Sequence, residues 1–114
     1  MPSDIAEARE VEIETSDDGR TYRTIIWVVA DGDDIFVRSV RGDSGKWYSR
    51  AVANPDVALV HGEQQARFVA VAAVDDESVK RASDGFIRKY PAGRSVDAMV
   101  DPDVLHTTMR LDPV

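Results

Sequence analysis

The sequence predicts a mainly β fold with minor α. It should be a six-stranded barrel, closed or nearly so, with a short helix after its third strand and a longer one before its last. Three observations lead there. Short runs of β-branched and apolar residues recur between Gly- and Asp-rich turns, which is the pattern of strands joined by hairpins. Only the segment from Asp76 to Tyr90 carries apolar residues at helical spacing over a long stretch. The chain has 114 residues and 43% hydrophobic content, enough for one continuous core and too little for two.

Taken in order, residues 1–9 are polar and are expected to form a flexible terminus, leaving 10–114 as a single domain. From Glu10 to Thr15 apolar and polar side chains alternate, the period of a half-buried strand. Ser16 to Gly19 supplies a turn. Arg23 to Ala30 (RTIIWVVA) is apolar on both faces and predicts a central strand covered on both sides. Asp31-Gly32-Asp33 turns the chain into a partner strand, Asp34 to Val40, with Ile35 and Val37 on one face and Phe36 on the other.

Trp47 to Ala53 is the place for the short helix. Asp43 or Ser44 could cap it, and Asn54-Pro55 ends it, because a residue before proline avoids the α region. Val57 to His61 is the next strand, Gly62 to Gln64 a turn, and Ala66 to Val74 another strand covered on both faces. Asp75 or Asp76 caps the long helix, in which Val79, Ala82, Phe86 and Tyr90 share one side. Pro91 and Gly93 stop it. Ser95 to His106 reads as irregular, and Thr107 to Leu111 as the last strand. A strand apolar on both faces needs a second buried surface, which a second copy of so small a chain can supply, so a homodimer is expected.

Charge excludes several function classes. With 21 acidic against 14 basic residues and a net charge of −7, long-range repulsion opposes nucleic acid and anionic membrane. There is no cysteine, and two isolated histidines, His61 and His106, make no zinc cluster and read best as packing or hydrogen-bonding residues. The Asp-rich stretches mark turns and a cap rather than a calcium loop. The acidic first residues lack a signal-peptide core, and no apolar run reaches spanning length. A cytoplasmic protein is expected.

Against that acidic background, Ile35 to Pro55 concentrates cations, hydroxyls and glycines at a strand-to-helix junction. A helix N-terminus offers free N–H groups and partial positive charge, while Arg and Lys add charge-assisted hydrogen bonds. The stretch is suited to a small anion. Strict alternation prevents Arg38 and Ser39 from both facing one ligand, which shifts the expectation to the turn from Arg41 to Lys46. Surface charges pairing with Asp43 and solvent are the competing explanation.

Three short words in this half of the chain carry a family resemblance. They are IWVV at Ile26 to Val29, VRSVRG at Val37 to Gly42, and Trp47-Tyr48 followed by Arg50. With the Asp-Gly turns and the Ala53-Asn54-Pro55 step, they resemble the split β-barrel proteins that bind flavins and deazaflavins. That group includes pyridoxamine-phosphate-oxidase-like enzymes and F420-dependent nitroreductases, and among its members the small DUF2255 proteins share these words.

The resemblance implies a split barrel with FMN or F420 bound at a subunit interface. It puts Thr24, Ile25, Ile26 and Trp27 along the ring edge, and Arg38, Ser39, Arg41, Ser44 and Lys46 around the phosphate, with Gly42 and Gly45 allowing close backbone approach. Trp47 and Tyr48 would line the pocket mouth, Tyr48 being also a proton-donor candidate, and Tyr90 would reach the ligand from a partner subunit. Trp27 and Tyr90 have core packing as their competing role. The implied activity is hydride transfer to a small acceptor, as in a nitroreductase-like oxidoreductase. Where nitroreductases carry His-Pro before the Trp-Tyr, this chain has Gly45-Lys46, so a non-catalytic module binding flavin, F420 or another anionic small molecule is the alternative.

Overall fold

A computed structural model describes residues 5–114. Seven antiparallel strands form one curled sheet: β1 (Val11–Asp17), β2 (Arg20–Ile26), β3 (Val29–Asp31), β4 (Asp34–Val37), β5 (Asp56–His61), β6 (Gln64–Ala72) and β7 (Met109–Pro113). Their order across the sheet is β2-β1-β5-β6-β7-β4-β3. The outer edges of β2 and β3 stay unpaired among the described residues, so the barrel is a half-barrel. From β1 onward the helices are α1 (Lys46–Ala53), α2 (Asp76–Lys89) and α3 (Arg94–Met99), with 3₁₀ turns at Gly42–Ser44 and Pro102–Thr107.

The hairpins follow from turn chemistry. Asp17 pairs with Arg20 across a two-residue loop, and Asp18 and Gly19 both take positive φ, 51° and 78°. That conformation matches the twist of the flanking strands and suits Asp-Gly.

Alternation divides the core between the two faces of the sheet. Inside the curl lie Ile13, Ile35, Val37, Leu59, Phe68 and Leu111, sealed by Trp47 and Ala51 of α1. On the outer face Val29 and Phe36 meet Ala82 and Phe86 of α2 and its C-cap Tyr90, with Val96 and Met99 of α3. The expected split of Ile35 and Val37 from Phe36 is what the structure shows. The contact between α2 and β3 is close, since a Cβ at Gly85 would meet Val29 at 3.1 Å.

Several elements differ from expectation. The run Arg23 to Ala30 breaks at Trp27-Val28 into β2 and β3, giving seven strands rather than six, and within it Arg23 and Ile25 are exposed rather than covered. β5 is buried on both faces through its middle, from Val57 to Val60, and so is β4 from Ile35 to Val37. β6 starts earlier than expected and alternates, with Phe68 and Ala70 inward. Asp43 and Ser44 form the 3₁₀ turn, and α1 begins after Gly45 with no side-chain cap. Asp75 does cap α2, accepting from the Ser78 N–H at 3.0 Å.

Ser95 to His106, expected to be irregular, holds most of α3 and a 3₁₀ turn that Asp101 caps. Of the terminus expected to be flexible, residues 1–4 lie outside the described residues. Ile5 and Ala6, in contrast, are buried in the inner core. No helix among the described residues is long and apolar enough to cross a membrane.

Candidate functional site

A cleft of about 1040 Å³ opens where β2, the end of β4, α1 and α3 converge. Its volume is at the upper end of the range of small-molecule sites. The whole run Thr24, Ile25, Ile26 and Trp27 lines it, as do Arg41, Lys46 and Trp47. Ile25 is 65% exposed, an unusual state for an isoleucine on a strand.

The break between β2 and β3 is held open by the end of α2. At Val28 the backbone leaves the ladder, and its N–H donates to the Tyr90 hydroxyl at 3.3 Å. The Val28 carbonyl accepts from Lys89 Nζ at 2.5 Å, and the same ammonium donates to the Ala6 and Ala8 carbonyls at 2.8 and 2.7 Å. Burial pulls the Lys89 ammonium down to about 8, with Glu7 opposing. Tyr90 is 3% exposed and its hydroxyl lies 2.6 Å from the Arg9 carbonyl, so it supports the cleft from behind without lining it. Its ring stacks on Trp27, centroids 3.8 Å apart and planes 5° from parallel. Burial pushes the Tyr90 phenol up, so it remains a neutral donor at physiological pH.

The phosphate-shell expectation separates into two groups. Arg38 and Ser39 touch the cleft wall, but their donors are engaged within the protein. Arg38 is 1% exposed, and its guanidinium donates to Thr108 Oγ1 (2.9 Å), Ser83 Oγ (2.9 Å), the Met99 carbonyl (3.1 Å) and the Val79 carbonyl (3.1 Å). Desolvation pulls it down to about 10, which leaves it charged at neutral pH. Its guanidinium is thus held by the protein itself, at the wall of the cleft.

Ser39 Oγ donates to the Gly42 carbonyl at 2.9 Å and closes the turn. The space beside it admits no side chain, since a Cβ on Gly45 would lie 2.3 Å from Ser39 Oγ. Ser44 Oγ donates to the Arg41 carbonyl at 2.8 Å. Gly42, with φ at 61°, is buried under Asp103 and Val104, and Gly42, Ser44 and Tyr48 do not line the cleft. Burial and the nearby Asp43 raise the Tyr48 phenol.

Arg41 and Lys46 remain at the cleft. Among the described residues neither makes an ion pair or side-chain hydrogen bond. The first bond closing α1 runs from the Ser49 N–H to the Gly45 carbonyl at 3.1 Å. The N–H groups from Lys46 to Tyr48 therefore precede the helix ladder, and no capping side chain occupies them. The turn thus brings cations and unpaired N–H groups together, an arrangement that attracts an oxyanion.

The sequence did not reveal the opposite wall. Arg94, Ser95, Ala98 and Met99 of α3 line the cleft, as do Arg23 and Arg50. The last two are engaged elsewhere. Arg23 pairs with Glu14 at 3.1 Å, while Arg50 donates to Thr15 Oγ1 at 2.8 Å and lies over the Tyr22 ring. The Val96 and Met99 spacing was the available signal for α3, but it is short and follows Pro91 and Gly93. Among the described residues no three potential metal ligands come together.

Solved structures place this architecture. An F420-H2-dependent reductase aligns with a TM-score of 0.69 at 15% identity, over 91% of this chain and 94% of its own. A FAD-binding protein from Mesorhizobium loti gives 0.68 at 15% identity, over 98% and 84%. The heme storage protein of Vibrio cholerae gives 0.74 at 16% identity, over 99% and 87%. At such identities the likeness shows the shared split-barrel fold. No curated protein sequence matches the chain significantly. The DUF2255 family model, described as uncharacterized proteins conserved in bacteria, matches residues 3–111, and the chain belongs to that family.

Proposed function

We propose that the cleft binds a phosphorylated flavin-type cofactor, FMN or F420, and that the protein is a cytoplasmic oxidoreductase transferring hydride to a small planar acceptor. The observation that carries this reading is the pairing of a cationic turn with an aromatic, backbone-rich wall in one cleft of an acidic chain. Arg41, Lys46 and the first N–H groups of α1 would take the phosphate. β2 would offer its unpaired edge and Trp27 to the ring. The split-barrel neighbours described as F420-H2-dependent and FAD-binding support the choice of cofactor class.

Such a cofactor, when bound and reduced, supplies the hydride. The chain's own part is to fix the ring against β2, hold the phosphate and shield one side of the ring from water. Solvent supplies the proton, because Tyr48 lies outside the cleft lining. The exposed β2 edge, with Ile25 and Tyr22, would be covered by a second copy, making the working unit a homodimer with the cofactor at its interface. A second reading, a binding module without catalysis, draws on Gly45 and Lys46, which line the cleft where the resembling nitroreductases carry His-Pro.

Fluorescence titration of the purified protein with FMN, F420 and a nicotinamide cofactor tests the proposal. Saturable binding of FMN or F420 is expected, and binding of none of the three would overturn it. Replacing Arg41 and Lys46 together by Ala should weaken the phosphorylated cofactor by roughly 30-fold or more, and its dephosphorylated analogue far less. Equal weakening of both would mean that the phosphate lies elsewhere. Hydride transfer to a quinone or nitroaromatic acceptor by the loaded protein separates the enzyme from the binding module.

A further inference from the structure

We infer that Arg94 and Ser95 hold a second oxyanion of the bound ligand, separate from the phosphate at the Arg41–Lys46 turn; this rests on the proposed reading of the cleft. Four observations support it. Arg94 and Ser95 line the same cleft as Arg41 and Lys46. Among the described residues Arg94 has no carboxylate or hydrogen-bond partner, although the chain carries a net charge of −7.

The wall that carries Arg94 is also fixed in place. Val96 and Met99 are buried against α2 and the outer face of the sheet. The Met99 carbonyl is tethered to the buried Arg38 at 3.1 Å. Finally, Arg94 opens α3, whereas Arg41 precedes the 3₁₀ turn and Lys46 opens α1. The cleft thus presents two cationic points on different rigid elements, which suits an elongated ligand with an anionic group at each. The second group is a carboxylate or phosphate, contributed either by the cofactor's own tail or by the acceptor.

The test compares wild type with Arg94→Gln and Arg94→Lys, titrating FMN, which carries a single phosphate, and F420, which carries carboxylates beyond its phosphodiester. Cofactor fluorescence is the readout. If the second oxyanion belongs to the cofactor, Arg94→Gln weakens F420 at least tenfold and FMN less than twofold, and Arg94→Lys retains most of the affinity. If it belongs to the acceptor, both cofactors bind unchanged. In that case Arg94→Gln weakens 4-nitrobenzoate at least tenfold but not nitrobenzene, read as quenching of the bound cofactor.

Equal weakening of FMN and F420 would make Arg94 part of the phosphate site and overturn the inference. Wild-type behaviour of Arg94→Gln toward both cofactors and 4-nitrobenzoate would also overturn it while leaving the cofactor reading intact. Failure of the wild type to bind either cofactor would overturn both.

Discussion

The Tyr90 ring lies flat on the Trp27 indole, centroids 3.8 Å apart, while its hydroxyl accepts the Val28 N–H. One side chain thus performs two tasks at the break between β2 and β3. It backs the aromatic wall of the cleft and satisfies a backbone donor that the sheet has released. Tyr90→Phe should keep the stack and orphan the Val28 N–H, costing about 1–2 kcal/mol in urea denaturation. Tyr90→Ala should remove both tasks and cost on the order of 3–5 kcal/mol.

Arg38 joins the end of β4 to α2, α3 and the strand-β7 approach without an acidic partner among the described residues. Its charge is met by two carbonyls, two hydroxyls and the Phe86 ring, whose centroid is 5.4 Å away. Arg38→Met should cost on the order of 3 kcal/mol, because buried acceptors lose their donors. Amide hydrogen exchange should quicken first across Arg94–Met99. Arg38→Lys should not rescue the loss, since a point charge cannot reach acceptors spread around a planar fork.

Gly45 is fixed by the Ser39 hydroxyl. Gly45→Ala puts a Cβ 2.3 Å from Ser39 Oγ, so the turn or the serine must move. Pairing the substitution with Ser39→Ala should restore part of the stability lost by Gly45→Ala alone, a positive coupling readable in a double-mutant cycle.

Ile25 on the unpaired β2 edge is 65% exposed. If a second copy covers this edge, Ile25→Asp should shift sedimentation from dimer to monomer. The variant should also weaken cofactor binding, while the secondary structure seen by circular dichroism is retained.

Asp75 provides a pH test. Hydrogen bonds from Ser78, its backbone N–H foremost, hold the Asp75 carboxyl below its ordinary value of 3.8. The folded value lies below the unfolded one, so the stabilisation is present above about pH 4 and is lost as pH falls through the folded value. Asp75→Asn keeps a good N-cap and removes the titration. Its urea midpoint should fall less than that of wild type between pH 6 and pH 3.

Local chemistry in the sequence determined much of this protein. Asp18-Gly19 and Gly32 set hairpins, the alternation of Ile35, Phe36 and Val37 assigned two faces, and Asp75 marked the start of α2. These depend on residues adjacent in the chain. The anion-attracting turn was legible for the same reason, as a strand-to-helix junction rich in Arg, Lys and Gly.

The tertiary structure alone decided how those parts are used. RTIIWVVA reads as one strand because nothing in it breaks a strand. It divides because Lys89 and Tyr90, more than 60 positions away, satisfy the backbone of Val28. Arg38 reads as a ligand contact until α2, α3 and Thr108 surround it with acceptors. Arg94 reads as part of a loop until α3 packs Val96 and Met99 against α2 and turns it to the cleft. Which cations are consumed by the fold and which remain for a ligand depends on acceptors brought near only by long-range packing, and no local pattern encodes that.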